Sequence, residues 1–263
     1  MESKTDINTN SHNKTVVDRF TKQAKVFFRK SDNSNQYGLN LMLKLSNPGK
    51  EDTALDVACG PGIIACKFAK LVSHVTGIDI SPFLIERAKS VQKEQGLNNM
   101  EWKVGDVSNL PFNDESFSIV MTRASFHHIV DRIRVLEEMI RVCKIGGKIL
   151  VVEVTPDNDK KEAFNHVEKL REPSYTNALT IEELTKTMKE LGVVNIRSEL
   201  FDVEMNLDKT LQASSPKSEN KDKIIQLFKQ DLDNNNLGMK SRLVDGQIHF
   251  SLPMSTIIGF KVK

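Results

Sequence analysis

Three aspartates stand at comparable places beside short apolar runs: Asp56 in LDVACGPG, Asp79 in GIDIS and Asp106 in VGDVSNLPF. A glycine loop, Gly60-Pro61-Gly62, follows the first of them. A turn from strand to helix lets backbone N–H groups face a ligand, and glycine allows that ligand to come close. Gly60-Pro61-Gly62-Ile63-Ile64-Ala65 also satisfies the dinucleotide pattern GxGxxG/A, so a nicotinamide enzyme stays open, as does a tight turn with no ligand. The acids narrow the choice. Asp79 closes a predicted strand, where a carboxylate accepts from both hydroxyls of a ribose. Asp106 follows the next strand, where it accepts from an adenine amino group. Asp56 lies inside its strand, four residues before Gly60; there it would repel a pyrophosphate and suit a cationic amino-acid group. A ligand with a ribose, an adenine and a positive centre but no phosphate is S-adenosylmethionine.

A second polar cluster follows the fourth predicted strand: Arg123-Ala124-Ser125-Phe126-His127-His128. Such strand ends are where reacting groups gather in open α/β sheets. Either histidine is a candidate to touch an acceptor or take its proton, with His127 the stronger; either equally serves as a helix cap or a backbone hydrogen-bond partner. Glu153, at the end of the fifth strand, reads as a solvated strand-end acid rather than as an orienting group. Arg171-Glu172-Pro173-Ser174-Tyr175 reads as a helix exit before a proline or as a cover over a pocket.

These residues need a frame. Short apolar runs alternating with longer amphipathic stretches mark a parallel sheet with crossover helices. Strands are predicted at 53–58, 74–79, 100–105, 117–122 and 148–154, and helices at 62–71, 82–95, 129–143, 160–172 and 181–191. Ser81-Pro82 and the Thr180/Glu183 pair are helix starts. Residues 1–13 read as a polar, disordered tail. The spacing of Val17, Phe20, Ala24, Phe27 and Phe28, with a run at 39–45, predicts a helical arm over 14–50. A core over 51–263 follows, with an insertion at about 206–247 that reads as a solvated elaboration. Strands at 193–205 and 256–262 would make an antiparallel pair at one sheet edge.

LDVACGPG, GIDIS, VGDVSNLPF, FSIVMTR and RVCKIGGKILVVEV, in that order, resemble the motifs of class I S-adenosylmethionine-dependent methyltransferases, nearest the type 11 branch of quinone and small-molecule methylases. The resemblance spans roughly residues 20–191. It implies an α/β, Rossmann-like, seven-stranded and mostly parallel sheet with an antiparallel last strand, helices on both faces and an N-terminal helical lid. It places Asp56, Ala58, Gly60 and Gly62 at the methionine end of the cofactor, Asp79 and Ile80 on the ribose, and Gly105, Asp106 and Val107 on the adenine. Arg123 and Ala124 would lie beneath the sulfonium, and the arm bearing Phe20 and Phe28 would close over the cofactor. Cys59 stands where the family often has a smaller residue.

Lys plus Arg number 37 against 35 for Asp plus Glu, a net charge of +2, which gives no field to argue for nucleic acid or a membrane surface. The three cysteines form no CxxC pair and predict neither disulfides nor a metal site. The N-terminal residues lack the apolar core of a signal peptide. The expectation is a cytoplasmic enzyme methylating O, N or C of a small molecule, as monomer or homodimer. The rivals are a nicotinamide oxidoreductase and a non-catalytic module that binds S-adenosylmethionine.

Overall fold

The computed structural model describes residues 11–21 and 36–262. Residues 11–21 are helical (α1). There follow α2 (Gln36–Ser46), β1 (Thr53–Val57), α3 (Ile63–Phe68), β2 (His74–Asp79), α4 (Pro82–Glu94), β3 (Met100–Val104), β4 (Phe117–Arg123), α5 (Arg132–Val142) and β5 (Cys143–Val154). The chain continues through α6 (Lys161–Arg171), α7 (Ile181–Glu190), β6 (Val193–Asn206), α8 (Leu207–Ser214), α9 (Ser218–Asp231), β7 (Arg242–Val244) and β8 (Gln247–Lys261).

The strands form one sheet in the order β3-β2-β1-β4-β5-β8-β6, with β7 on β8. The first five pair in parallel, and β8 runs antiparallel to both β5 and β6. The chain leaves β1 toward β2 on one side and returns to β4 on the other. That reversal opens a crevice above the C-terminal strand ends.

Both faces of the sheet are covered, so the central strands are apolar on both sides rather than alternating with polar residues. Successive residues of β5 show the pleat at work. Leu150 and Val152 join the core that holds Met42 of α2, Phe68 of α3, Phe164 of α6 and Phe228 of α9. Ile149 and Val151 join the opposite core with Leu136 and Met139 of α5 and Met188 of α7. Two helix starts follow their side chains: the Ser81 hydroxyl accepts from Leu84 N at the head of α4, and Thr180 and Glu183 cap each other's backbone at α7.

Several expectations shift. The tail predicted through residue 13 gives way to helix at residue 11, where Val16, Val17 and Phe20, all half-buried, turn an apolar face to the crevice. Ala24, Phe27 and Phe28 of the predicted arm lie outside the described residues. The sheet has an eighth strand beyond the seven expected: β7 and β8 form a hairpin whose turn residues, Asp245 and Gly246, both take positive φ, the backbone of a tight primed turn. The helix predicted over 129–143 begins at Arg132, where the Asp131 carboxylate caps Arg134 N. It stops one residue earlier because Cys143 already pairs with Phe117 in β5. The insertion is packed rather than solvated. Leu207 and Leu211, and Ile224 and Phe228, are i,i+4 pairs buried in the core beneath α8 and α9, so two apolar residues per helix anchor an otherwise polar sequence.

Candidate active site

At the crevice lies a cavity of about 300 Å³. The ends of β1, β2 and β4 and the loop after β3 form its floor, and α1 covers it with Val16, Val17 and Phe20. Of the residues predicted from sequence, Phe20, Asp56, Ala58, Gly60, Asp79, Ile80, Asp106, Val107, Arg123, Ala124 and His128 line it together. Gly62, Gly105 and His127 do not.

The glycine loop is held from below. Asp79 accepts from Gly60 N at 2.8 Å and from Ser81 N at 2.9 Å, so one carboxylate fixes both the loop and the start of α4. Asp56 accepts from Ala65 N at 3.2 Å, inside the first turn of α3. Ala58 and Ala124 both take left-handed backbone, at φ 56° and 50°. Non-glycine residues reach that region at a cost of about 1–2 kcal/mol each, and such strain gathers at ligand sites. Gly62 has a packing role instead. Its φ is +74°, and a Cβ there would sit 2.4 Å from the Trp102 ring. Gly105 serves through its backbone, donating to the Asp79 carbonyl at 3.0 Å.

Burial governs the charges. It raises the Asp56 carboxyl to about 7, against a hydrogen bond from Ala65, and pushes Asp79 upward as well. The Arg123 guanidinium is shifted down by burial, while Asp56 and Glu153 support its charge. Asp106 takes Ser108 N and the Ser108 hydroxyl on one oxygen, at 2.9 and 2.8 Å, and the Asn13 amide of α1 on the other at 2.9 Å.

The second cluster departs from the sequence reading. Glu153 is 2% exposed, buried rather than solvated, because four donors converge on it. Ser125 N, Phe126 N and Val154 N donate at 3.1, 2.7 and 2.7 Å, and His127 Nδ1 lies 2.5 Å away. Burial pushes its pKa up, but His127 and the backbone donors outweigh that and hold it below the usual carboxylate value. Phe126, His127 and His128 form one 3₁₀ turn, with His127 drawn toward Glu153 and His128 left at the cavity. The 171–175 segment packs on this turn. The Tyr175 ring lies 5.6 Å from that of His127, Ser174 meets His128, and Glu172 pairs with Arg19 of α1 at 2.7 Å. Asn13 was not legible as a site residue because it fell in the predicted tail, and Arg19, although inside the predicted arm, because its partner Glu172 lies 153 positions away.

An α/β sheet with acids in or just after the C-terminal ends of three successive strands, under a mainly apolar cover, suits a nucleoside-bearing cofactor without phosphates. The comparisons agree. Residues 55–151 match the profile of the family described as "Methyltransferase domain". A protein of Bacillus subtilis named uncharacterized methyltransferase YcgJ is 31% identical over 166 residues, 62% of this chain and 66% of its own. A demethylmenaquinone methyltransferase of Thermotoga maritima is 38% identical over 117 residues, 44% of this chain and 48% of its own. The chain thus matches between about half and two thirds of the length of these curated relatives. The crystal structure of YcgJ superposes with a TM-score of 0.81 at 25% identity, over 87% of this chain and 99% of that one. A putative methyltransferase from Bacillus halodurans gives 0.80 at 24%, over 86% and 100%. Residues 55–151 thus form a methyltransferase domain, and the cofactor that such a domain implies is S-adenosylmethionine.

Proposed function

We propose that the protein methylates a small-molecule acceptor at an O, N or C atom in the cytoplasm, with α1 as the lid over its site and α2, the later part of the predicted arm, packed into the core. The observation that carries this is the convergence of Asp56, Asp79 and Asp106 on one cavity whose cover is apolar. The donor set fits the cofactor. Asp56, buried and held near neutrality, gains from a cationic partner. Asp79 and Asp106 use only some of the roughly four lone-pair positions of a carboxylate and can accept from a ribose and an adenine. A pyrophosphate would meet Asp56 as a repelling charge, which disfavours the nicotinamide reading.

Bound S-adenosylmethionine supplies a methyl group already activated by a sulfonium. The chain's own part is alignment and exclusion of water. Asp79 and the Gly60 turn fix the loop, while Val16, Val17 and Phe20 close the cavity from above. The acceptor would meet the turn carrying His127 and His128, which Glu153 and the 171–175 segment hold rigid. No helix among the described residues is long and apolar enough to cross a membrane. The relatives named as demethylmenaquinone methyltransferases make a quinone the first acceptor class to try.

The test has two stages. Saturating S-adenosylmethionine or S-adenosylhomocysteine should raise the melting temperature, since a ligand at 100 times its Kd adds about 2.7 kcal/mol to the native state. Radiolabelled methyl from S-adenosylmethionine should then pass to a component of a small-metabolite extract. An unshifted melting curve with both ligands overturns the assignment. Binding without any transfer favours the non-catalytic module.

A further inference from the structure

The two neighbouring histidines are held by opposite kinds of partner, and this assigns their protons. His127 Nδ1 faces the Glu153 carboxylate at 2.5 Å, so it carries hydrogen. His128 Nδ1 faces both the carbonyl and the hydroxyl of Ser174, each at 3.1 Å. A carbonyl only accepts, and the Ser174 hydroxyl places its own hydrogen on Glu172 at 3.0 Å. His128 Nδ1 is therefore the donor. In a neutral imidazole the other nitrogen then bears the lone pair. No described residue hydrogen-bonds His128 Nε2, and His128, unlike His127, lines the cavity.

The surroundings keep that ring neutral. Burial comes first in driving the His128 pKa well below its ordinary value, and His127, Arg171 and His12 push the same way, against the Ser174 carbonyl. The groups around it come from every neighbouring element: His127 on its own turn, His12 and Arg19 on α1, Arg171 at the end of α6, and Glu172 through Ser174. His12 Nε2 donates to the His128 carbonyl at 2.8 Å, and the Phe20 ring stands edge-on to the imidazole at 5.0 Å. The lid thus fastens the same residue that its apolar face shields from water.

Resting on the methyltransferase reading above, we propose that His128 Nε2 is the base that takes the acceptor's proton, and that His127 is a positioning residue anchored on Glu153. The acceptor's lone pair forms the new bond to the methyl carbon. The carbon–sulfur bond breaks with its electron pair going to sulfur, and the acceptor's proton passes to Nε2. His128 becomes an imidazolium, which returns the proton to solvent once the lid opens. A cation in that buried place is disfavoured, so the proton leaves readily and the residue resets to its neutral form.

Two measurements test this. Long-range proton–nitrogen NMR on protein labelled at histidine nitrogen reads the tautomer without any acceptor, with the His128 signals identified by their loss in His128→Asn. Protonated Nδ1 and bare Nε2 are expected, unchanged from about pH 6 to 8; protonated Nε2 overturns the proposal. The second is single-turnover methyl transfer to the labelled extract component. His128→Asn keeps a donor toward Ser174 but has no Nε2, so its rate should fall about 100- to 10,000-fold with S-adenosylhomocysteine affinity nearly unchanged. His127→Asn keeps a donor toward Glu153 and should lose less. The parent rate should be level across the same pH range. A His128→Asn protein that binds S-adenosylhomocysteine and turns over like the parent removes His128 from the chemistry while leaving the methyltransferase assignment intact. A parent that neither binds nor transfers defeats that assignment instead.

Discussion

Asp56→Asn should make the protein more stable and less able to hold its cofactor. Burial raises the Asp56 carboxyl from 3.8 to about 7, so the native state binds this proton more tightly than the unfolded chain does. Linkage then fixes the sign: the stabilisation is complete below pH 4 and is lost as pH rises through about 7. A separation of about 3 units, at about 1.4 kcal/mol each, makes keeping this group folded and ionised cost about 4 kcal/mol above neutrality. Asparagine escapes that cost and still accepts from Ala65 N. Its amide hydrogens need acceptors beside Arg123, which takes back about 1–3 kcal/mol. The net gain of about 1–3 kcal/mol is a rise of several degrees in melting temperature. Thermal scans from pH 5 to 8 on the cofactor-free protein should show the gap between variant and parent widening with pH. Calorimetry with S-adenosylmethionine in two buffers of different ionisation heat completes the test. At pH 7 the parent should release roughly half a proton on binding, since a cationic ligand favours the ionised carboxylate. The variant should release none from this group and bind more weakly. A variant with the parent's pH profile and proton release would refute the reasoning.

Other outcomes follow from the same contacts. Asp79→Ala should weaken S-adenosylhomocysteine binding by about 1.5–3 kcal/mol, the scale of hydrogen bonds to a charged group. Asp79→Asn should lose less because one acceptor oxygen remains; binding like the parent's by both variants would take Asp79 off the ribose. Glu153→Gln should cost about 1–3 kcal/mol in chemical denaturation, because an amide nitrogen replaces an oxygen that now accepts buried donors; an unchanged midpoint would show that those donors find other partners. Gly62→Ala should lower the melting temperature, since the residue holds φ +74° against the Trp102 ring and overpacking adds about 1–3 kcal/mol. Trp102 is the sole tryptophan, so its fluorescence reports the same change, and a silent variant would mean the loop relaxes freely.

Much of this architecture was legible because its signals are local. Strand ends, glycine turns and caps each depend on a few neighbouring residues: the strand at 74–79 was read with its observed bounds, and Ser81 and Thr180 start their helices. Asp56, Asp79 and Asp106 could be placed on one cavity because a parallel sheet brings successive strand ends to one edge. What stayed hidden depends on contacts between distant residues. Glu153 looks solvated in sequence because strand-end acids usually are. Its burial requires three backbone N–H groups and a histidine, two of the N–H groups and the histidine lying more than 25 positions away. The insertion looks solvated because composition averages out the six apolar residues that anchor it, Leu207, Leu211, Ile224, Phe228, Leu237 and Met239.

The ranking of the two histidines turns on the same distinction. Adjacent residues on a tight turn point in different directions, and sequence cannot say which one meets the cavity. The deciding atoms are the carboxylate of Glu153 and the carbonyl of Ser174, each supplied by a different part of the chain. The carboxylate draws His127 away from the cavity. The carbonyl leaves His128 there with one nitrogen occupied and the other open. A carboxylate partner would favour the cationic form of an imidazole, whereas a carbonyl in a buried place fixes its tautomer without adding a charge. A base that starts neutral and ends charged is stabilised less by the second arrangement, so it is place rather than basicity that singles out His128: of the two rings it is the one that lines the cavity. The geometry therefore moves the proton-accepting role from His127, the stronger candidate in sequence, to its neighbour.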